Sequence, residues 1–346
     1  MVERDIIVVG TSAGGVDALL KLVRGLPTGF PASFFIVCHL PTGARSALPE
    51  ILSRGGALLA SHPADGEPFY PGQIYIAPPD RHLLLGPDRK IRLARSAREN
   101  GHRPAVDPLF RSAARYFGSR VIGVILTGAL SDGAAGLLAV RGAGGLAVVQ
   151  DPADATIAGM PENAARIAGA DHIAKATELA ALLAVLVYDQ ASPDQRSAMA
   201  DPIDPMQSVL DQDMDRQSRD ERHGERSVFS CPECGGALWQ TKQPELIQFR
   251  CHVGHVYNGD VLLSEQSEAL EAALWTAVRT FREKSILAQQ LANHARSEGN
   301  VESAARFEEQ AGQAARYGDL IRQYLLNDGS AVGGEEFGSA VSGGVL

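Results

Sequence analysis

The sequence predicts an α/β protein with a doubly wound, mostly parallel sheet, followed by a small Cys/His metal-ribbon module and a helical hairpin. Three observations carry this expectation. Short apolar runs alternate with amphipathic stretches over residues 1–190, a βαβα rhythm that requires helices on both faces of a parallel sheet. Three of the four cysteines lie between Cys231 and Cys251. Two stretches beyond residue 259 carry apolar residues at helical spacing, with Gly299-Asn300 breaking them apart.

Taken in order, Asp5 to Gly10 is a continuous apolar run and reads as a fully buried strand. Val16 to Val23 is the helix that follows, and Phe34 to Cys38 is the second strand. Gln73–Ala77 and Arg81–Leu85 read as later strands. Asp107-Pro108 opens a helix, with Asp107 as N-cap and Pro108 at the first helical position. Val121–Leu126 is another buried strand, Leu137–Arg141 belongs to its helix, and Gly145–Val149 is a further strand. Residues 191–228 are polar and charged and cannot bury a core, so they read as a linker. The metal-ribbon module is expected at 229–258, the hairpin at 259–327 and a Gly/Ser-rich flexible tail at 328–346.

Composition narrows the function classes. Hydrophobic residues make up 45% and charged residues 21% of the 346, the make-up of an ordinary globular chain. A formal net charge of −9 argues against nucleic acid as a partner, since phosphate binding needs a basic face. No run is apolar enough for membrane insertion and the N-terminus lacks a signal-peptide pattern, so the expected compartment is the cytoplasm.

Three polar signals fall just past strand ends. Gly10-Thr-Ser-Ala-Gly14 fits G-x-S-x-G between a strand and a helix, a turn that lifts Ser12 out of the sheet beside a helix N-terminus. His39 follows the second strand directly. Asp132 follows Val121–Leu126 in Leu126-Thr-Gly-Ala-Leu-Ser-Asp132. A serine hydroxyl needs a base, and the base needs a carboxylate to hold its tautomer. One of each lies at the same sheet edge. The same residues also fit a phosphate or nucleotide cradle, and the motif by itself leaves both open. His82 fits either the cleft or a structural role on its strand. Met160-Pro161 reads as a helix start, and Cys38 as a small buried hydrophobe.

Six ordered blocks go further. Ile7-Val-Val-Gly10-Thr-Ser-Ala-Gly-Gly15 resembles the nucleophile loop of the chemotaxis receptor methylesterase (CheB-type) family. Val37-Cys-His39-Leu-Pro41, Ile74-Tyr-Ile-Ala-Pro78 with His82, and Arg103-Pro-Ala-Val-Asp-Pro-Leu-Phe110 follow in the family's order. Ile125-Leu-Thr-Gly128 with Asp132-Gly-Ala-Ala-Gly136 is similar to its acid motif. Gln150-Asp-Pro152 and Gly159-Met-Pro161-Glu-Asn-Ala164 complete the set. The resemblance implies Ser12 as nucleophile, His39 as base and Asp132 as acid, with no catalytic cofactor. It implies hydrolysis of γ-glutamyl methyl esters on a chemoreceptor-like helical protein, and glutamine deamidation at the same sites. A non-catalytic signalling scaffold on the same fold is the alternative. Two departures touch the site: Ala13 stands where the family often has Thr, and Ala129-Leu130 where it usually has Met-Gly. The family's receiver domain has no counterpart ahead of Asp5, so phosphorylation control within these residues is not expected.

The second module has its own chemistry. Cys231-Pro-Glu-Cys234 and Cys251-His-Val-Gly-His255 supply a Cys₃His set at the spacing of a structural zinc ribbon, with His252 as the alternative to His255. The two helical stretches read as an antiparallel pair whose apolar stripe either packs on itself or meets a partner helix or a second copy. The polar linker makes a chain ended after Leu186 an expected self-sufficient esterase.

Overall fold

The computed structural model describes residues 4–39, 46–188, 224–243 and 246–326. The linker expected at 191–228 lies outside them up to residue 223, and the tail expected at 328–346 lies wholly outside.

The first strands are β1 (Ile6–Thr11), β2 (Ser33–Cys38), β3 (Leu59–Ser61) and β4 (Gln73–Ile76). A β5–β6 pair (His82–Leu85, Ile91–Ala94) is followed by β7 (Val121–Ile125), β8 (Leu146–Gln150) and β9 (His172–Ala174). Seven of these form one sheet in the order β3-β4-β2-β1-β7-β8-β9, and each of its pairings is parallel. β5 and β6 stand apart as an antiparallel pair. The chain builds outward from β1 on one side through β2, then returns to its other side with β7. The strand order therefore reverses at β1, and ligand sites in such sheets lie beyond the carboxyl ends of the strands at that point.

Period-two alternation assigns the two cores. Ile7 and Val9 face a layer with α1 (Gly15–Arg24), α2 (Leu48–Gly55) and α6 (Leu179–Tyr188). Ile6 and Val8 face the opposite layer with α3 (Val106–Phe117), α4 (Ala134–Gly142) and α5 (Gly159–Ile167). A strand buried on both faces has no polar alternation, which is why β1, β2 and β7 read as plain apolar runs. Asp107 is not the cap of α3. Ala105 takes that place, and the Asp107 side chain is drawn inward by buried partners.

A second, four-stranded antiparallel sheet holds β10 (Glu225–Ser230), β11 (Ala237–Gln243), β12 (Leu246–Cys251) and β13 (Val256–Asn258). It belongs to the same compact unit as the parallel sheet, which extends to Leu263. From Ser264 a separate unit begins. It contains most of α7 (Gly259–Ser297) and all of α8 (Val301–Leu326). Phe281 meets Tyr317, Ser285 Oγ donates to Ala311 O and Arg296 pairs with Glu308, so the two helices run antiparallel. Small residues make this contact: Ala292, Ala304, Ala311 and Ala314 are buried along it. Among the described residues no helix is long and apolar enough to cross a membrane.

Phe35 is fully buried on β2, edge-on to Phe69 and stacked on Tyr75. Phe35→Ala should lower unfolding free energy by about 3–5 kcal/mol in urea titrations, because rigid neighbours cannot close the cavity.

Candidate active site

β1, β2 and β7 are adjacent, so the residues after their carboxyl ends are neighbours in space. Ser12 follows β1. Its N–H donates to Thr127 O (3.0 Å), just past β7, and His39 N–H donates to Thr11 O (3.1 Å), so the sheet ladders continue into the site. Thr127 acts as a buttress: Thr11 Oγ1 donates to its carbonyl (2.8 Å), and its own hydroxyl donates to Ala13 O (3.0 Å). Two glycines make the turn feasible. Gly14 caps α1 with φ of 79°, a left-handed conformation that a side chain resists. Gly128 is squeezed: a Cβ there would lie 2.2 Å from Met160 Sδ and 2.9 Å from Ser12 Cβ. Ser12 is half-buried, and its hydroxyl has no hydrogen-bond partner among the described residues.

His39 Nε2 donates to Asp132 Oδ2 at 2.8 Å, with the two side chains 6% and 3% exposed. Nδ1 is the ring nitrogen left for a serine proton. The other ring face is covered by His102, stacked with centroids 3.7 Å apart.

Asp132 is held by more than the histidine. It accepts from Val106 N–H (2.7 Å), Asp107 N–H (3.3 Å) and Asn100 Nδ2 (2.9 Å). The first two are free donors of the opening turn of α3, where the helix dipole favours a negative charge. Burial pushes the Asp132 carboxyl up, but the hydrogen bond and charge of His39 and the Val106 N–H more than offset it and hold it well below the usual carboxylate range. Asp107 is its opposite. Burial, and then the Asp132 charge, push the Asp107 carboxyl up to about 8, so it is uncharged at neutral pH. Its oxygens accept from Gly136 N–H (2.6 Å) and Asn100 Nδ2 (3.0 Å). One carboxylate ionised beside one kept neutral is the arrangement a buried site reaches when two like charges cannot both persist.

His82 does not reach the cleft. It is fully buried on β5, with Nε2 donating to Ala97 O and Nδ1 accepting from Ala105 N–H. Asn100 and His102 carry no periodic or motif signal in the sequence; a polar pair next to a Gly, just ahead of the Arg103-Pro104 block, is the one trace they leave.

The structure also brings Cys231, Cys234, Cys251 and His255 together, with their ligand atoms all within 4.8 Å of one another. Cys234 Sγ lies 3.7 Å from Cys251 Sγ, and His255 Nδ1 lies 3.6 and 3.4 Å from Cys231 and Cys251 Sγ. A tetrahedral zinc with bonds of about 2.3 Å to sulfur and 2.0–2.1 Å to nitrogen has edges close to these. His255 Nε2 pairs with Glu233 (3.1 Å), which turns Nδ1 toward the sulfurs. His252 points to solvent, outside this group.

A parallel α/β sheet that presents a serine turn, a histidine and a buried carboxylate at one edge has the make-up of a serine hydrolase. The chain belongs to the CheB methylesterase family, whose model matches residues 7–183. It is 40% identical over 181 residues to a Pseudomonas aeruginosa protein named protein-glutamate methylesterase/protein-glutamine glutaminase 2, covering 51% of this chain and 52% of that one. A Photorhabdus laumondii protein named protein-glutamate methylesterase/protein-glutamine glutaminase is 39% identical, covering 49% of each chain. The chain thus spans about half the length of these two relatives. A Leptospira interrogans protein, named putative protein-glutamate methylesterase/protein-glutamine glutaminase, is 38% identical over 55% of this chain and 97% of its own. The crystal structure of the Thermotoga maritima CheB methylesterase catalytic domain is similar with a TM-score of 0.51 and 35% identity, over 53% of this chain and 98% of that one.

The Asp107 carboxyl generates a pH prediction. Its folded value, about 8, lies above the ordinary 3.8, so the folded chain holds this proton more tightly. Stability from this group is therefore full below about pH 4 and declines as pH rises toward 8. Asp107→Asn cannot titrate. The stability difference between variant and wild type, from thermal unfolding across pH 5 to 8, should shift steadily in the variant's favour. Parallel curves would show that Asp107 is ionised at neutral pH.

Proposed function

We propose that this chain is a serine-dependent protein-glutamate methylesterase that also deamidates glutamine, with Ser12 as nucleophile, His39 as general base and Asp132 as the acid that orients it. The observation that carries the reading is the buried His39–Asp132 pair, which leaves one imidazole nitrogen free at the edge where Ser12 projects. Ser12 Oγ attacks the γ-carbonyl of a methylated glutamate as His39 Nδ1 takes its proton. The developing oxyanion meets the Ala13 N–H and the N-terminus of α1. Collapse breaks the ester C–O bond, and His39 returns the proton to the departing methanol. Water then enters, loses a proton to His39 and cleaves the glutamyl-enzyme, which restores Ser12 and yields a carboxylate. With glutamine as substrate the same steps release ammonia. No step needs a cofactor.

The substrate is a methylated glutamate on a chemoreceptor-like helical protein, which places the enzyme in the cytoplasm. The names of the Pseudomonas, Photorhabdus and Leptospira relatives support the reacting groups, a protein glutamate methyl ester and a protein glutamine; the chemoreceptor-like protein and the compartment rest on the resemblance of the sequence blocks. In the hairpin, Leu287, Leu320 and Tyr324 are exposed, which supports a partner-binding or self-associating role for it.

Cys231, Cys234, Cys251 and His255 would hold one structural zinc. Four protein ligands leave no position for a reactive water, so the ion would supply folding energy to β10–β13 rather than chemistry.

Ser12→Ala and His39→Ala should each lower ester hydrolysis by roughly 10³-fold or more, and the double variant should be little worse than either, because such residues act as a unit. Additive losses, or a fluorophosphonate probe that labels Ser12→Ala as well as wild type, would sink the assignment.

Elemental analysis of the purified chain should find one zinc per molecule, and Cys251→Ser should lose it. A folded, zinc-free wild type is the contrary result.

A further inference from the structure

The Cys/His module does not merely follow the esterase domain; it packs on the acid side of the site. The segment before α3 joins the module's edge strand. Asn100 N–H donates to Val256 O (2.7 Å), Val256 N–H donates to Arg98 O (3.4 Å), and Glu99 pairs with Val256 in parallel register. Arg111 Nη2 bridges both Glu99 oxygens (2.8 and 2.7 Å), which ties this segment to α3.

Asn258, the last residue of β13, is fully buried and reaches both neighbours of Asp132. Its N–H donates to Asn100 Oδ1 (2.9 Å), and its Nδ2 donates to Ser131 O and Oγ (3.1 Å each). Gln248 Nε2 donates to Asn258 Oδ1 (2.9 Å) and sets the amide's orientation. Since Asn100 Oδ1 faces Asn258, its NH₂ must face the carboxylates, where it bonds Asp132 (2.9 Å) and Asp107 (3.0 Å). Ser131 Oγ completes the contact by donating to Asp260 Oδ1 (2.5 Å).

Leu130 supplies the apolar half. It sits at φ of 60°, a left-handed conformation that a leucine resists. Its side chain packs on the module core of Cys231, Leu238, Phe249, Tyr257 and Leu262. The family match ends at residue 183, so these partners all lie beyond it.

We propose that the Cys/His module is a positioning element of the esterase. Asn258 is its key residue, orienting Asn100 and the Leu130–Ser131 turn and so fixing Asp132 against His39. This rests on the triad reading given above. On it, a chain ended after Leu186 loses Asn258, which holds Asn100 Oδ1 and Ser131, in contrast to the self-sufficient esterase that the polar linker suggests.

The test uses full-length Asn258→Ala, with Gln248→Ala as a second variant that loosens Asn258 without touching the acid loop, should the first fail to fold. On a small activated ester, kcat should fall about 10- to 100-fold in Asn258→Ala, and less in Gln248→Ala, with KM within about twofold of wild type. Fluorophosphonate labelling of Ser12 should slow in step. The low-field proton resonance of the His39 Nε2–Asp132 hydrogen bond should move or broaden in both variants, a signature that loss of an unrelated packing contact leaves in place. A wild type that does not label at Ser12 overturns the triad and the proposal with it. A wild type that labels, beside folded variants with unchanged kcat, labelling rate and resonance, overturns the proposal alone.

Discussion

A carboxylate 3% exposed to solvent is an expensive thing to keep ionised, and the molecule is organised around doing so at Asp132. Four groups donate to it: an imidazole from the end of β2, two backbone N–H groups from the first turn of α3, and an amide from the segment before α3. Each needs a different part of the fold in place. The parallel sheet sets the ends of β2 and β7 on either side of β1, which brings His39 within reach of Asp132. The α3 layer aims a helix N-terminus at the acid. The β5–β6 pair and the segment after it deliver Asn100. A fifth group, Asp107, is close enough to compete and answers by staying protonated. The cost of the buried charge is thereby shared among elements that each have other reasons to be there.

That dependence explains which parts of the site were legible in the sequence. Ser12, His39 and Asp132 follow strands that are buried on both faces, and such strands announce themselves as unbroken apolar runs. A polar residue just past such a run is conspicuous. The Cys/His spacing was equally plain, since metal-type ligands cluster within a few residues of each other. Asn100 and His102 were not. They sit in an irregular segment with no period, and their roles come from where the chain is carried. Asn258 lies 158 residues from the asparagine it bonds, a distance over which no local pattern speaks. Asp107 shows the converse error. Asp before Pro has the look of a helix cap, and the local rule lost to buried tertiary partners at Asn100 and Gly136.

The fold was read well where a strand was an unbroken apolar run or a helix was periodic. The strands nearest the site and the break at Gly299-Asn300 fall where expected, while the short edge strands β3 and β9 left no clear mark. Both contain only three residues and are partly exposed, so neither alternation nor a continuous apolar run has room to develop. β5 looks like one more strand of the main sheet until its antiparallel pairing with β6, a strand not expected from the sequence, is seen. Sequence period reports burial; it is silent on which neighbour a strand chooses.

Leu130 has a meaning beyond its packing. The turn it occupies is one where glycine is the least strained residue, and a bare catalytic domain has every reason to put glycine there. A leucine at that position is better accommodated where something covers its side chain, as the core of β10–β13 does here. In a chain without β10–β13 it would combine backbone strain with an uncovered apolar side chain at the rim of the cleft. On the positioning proposal, a bulky apolar side chain at this turn in a related esterase is expected to come with a second domain that covers it, and it can be looked for without any structure at all.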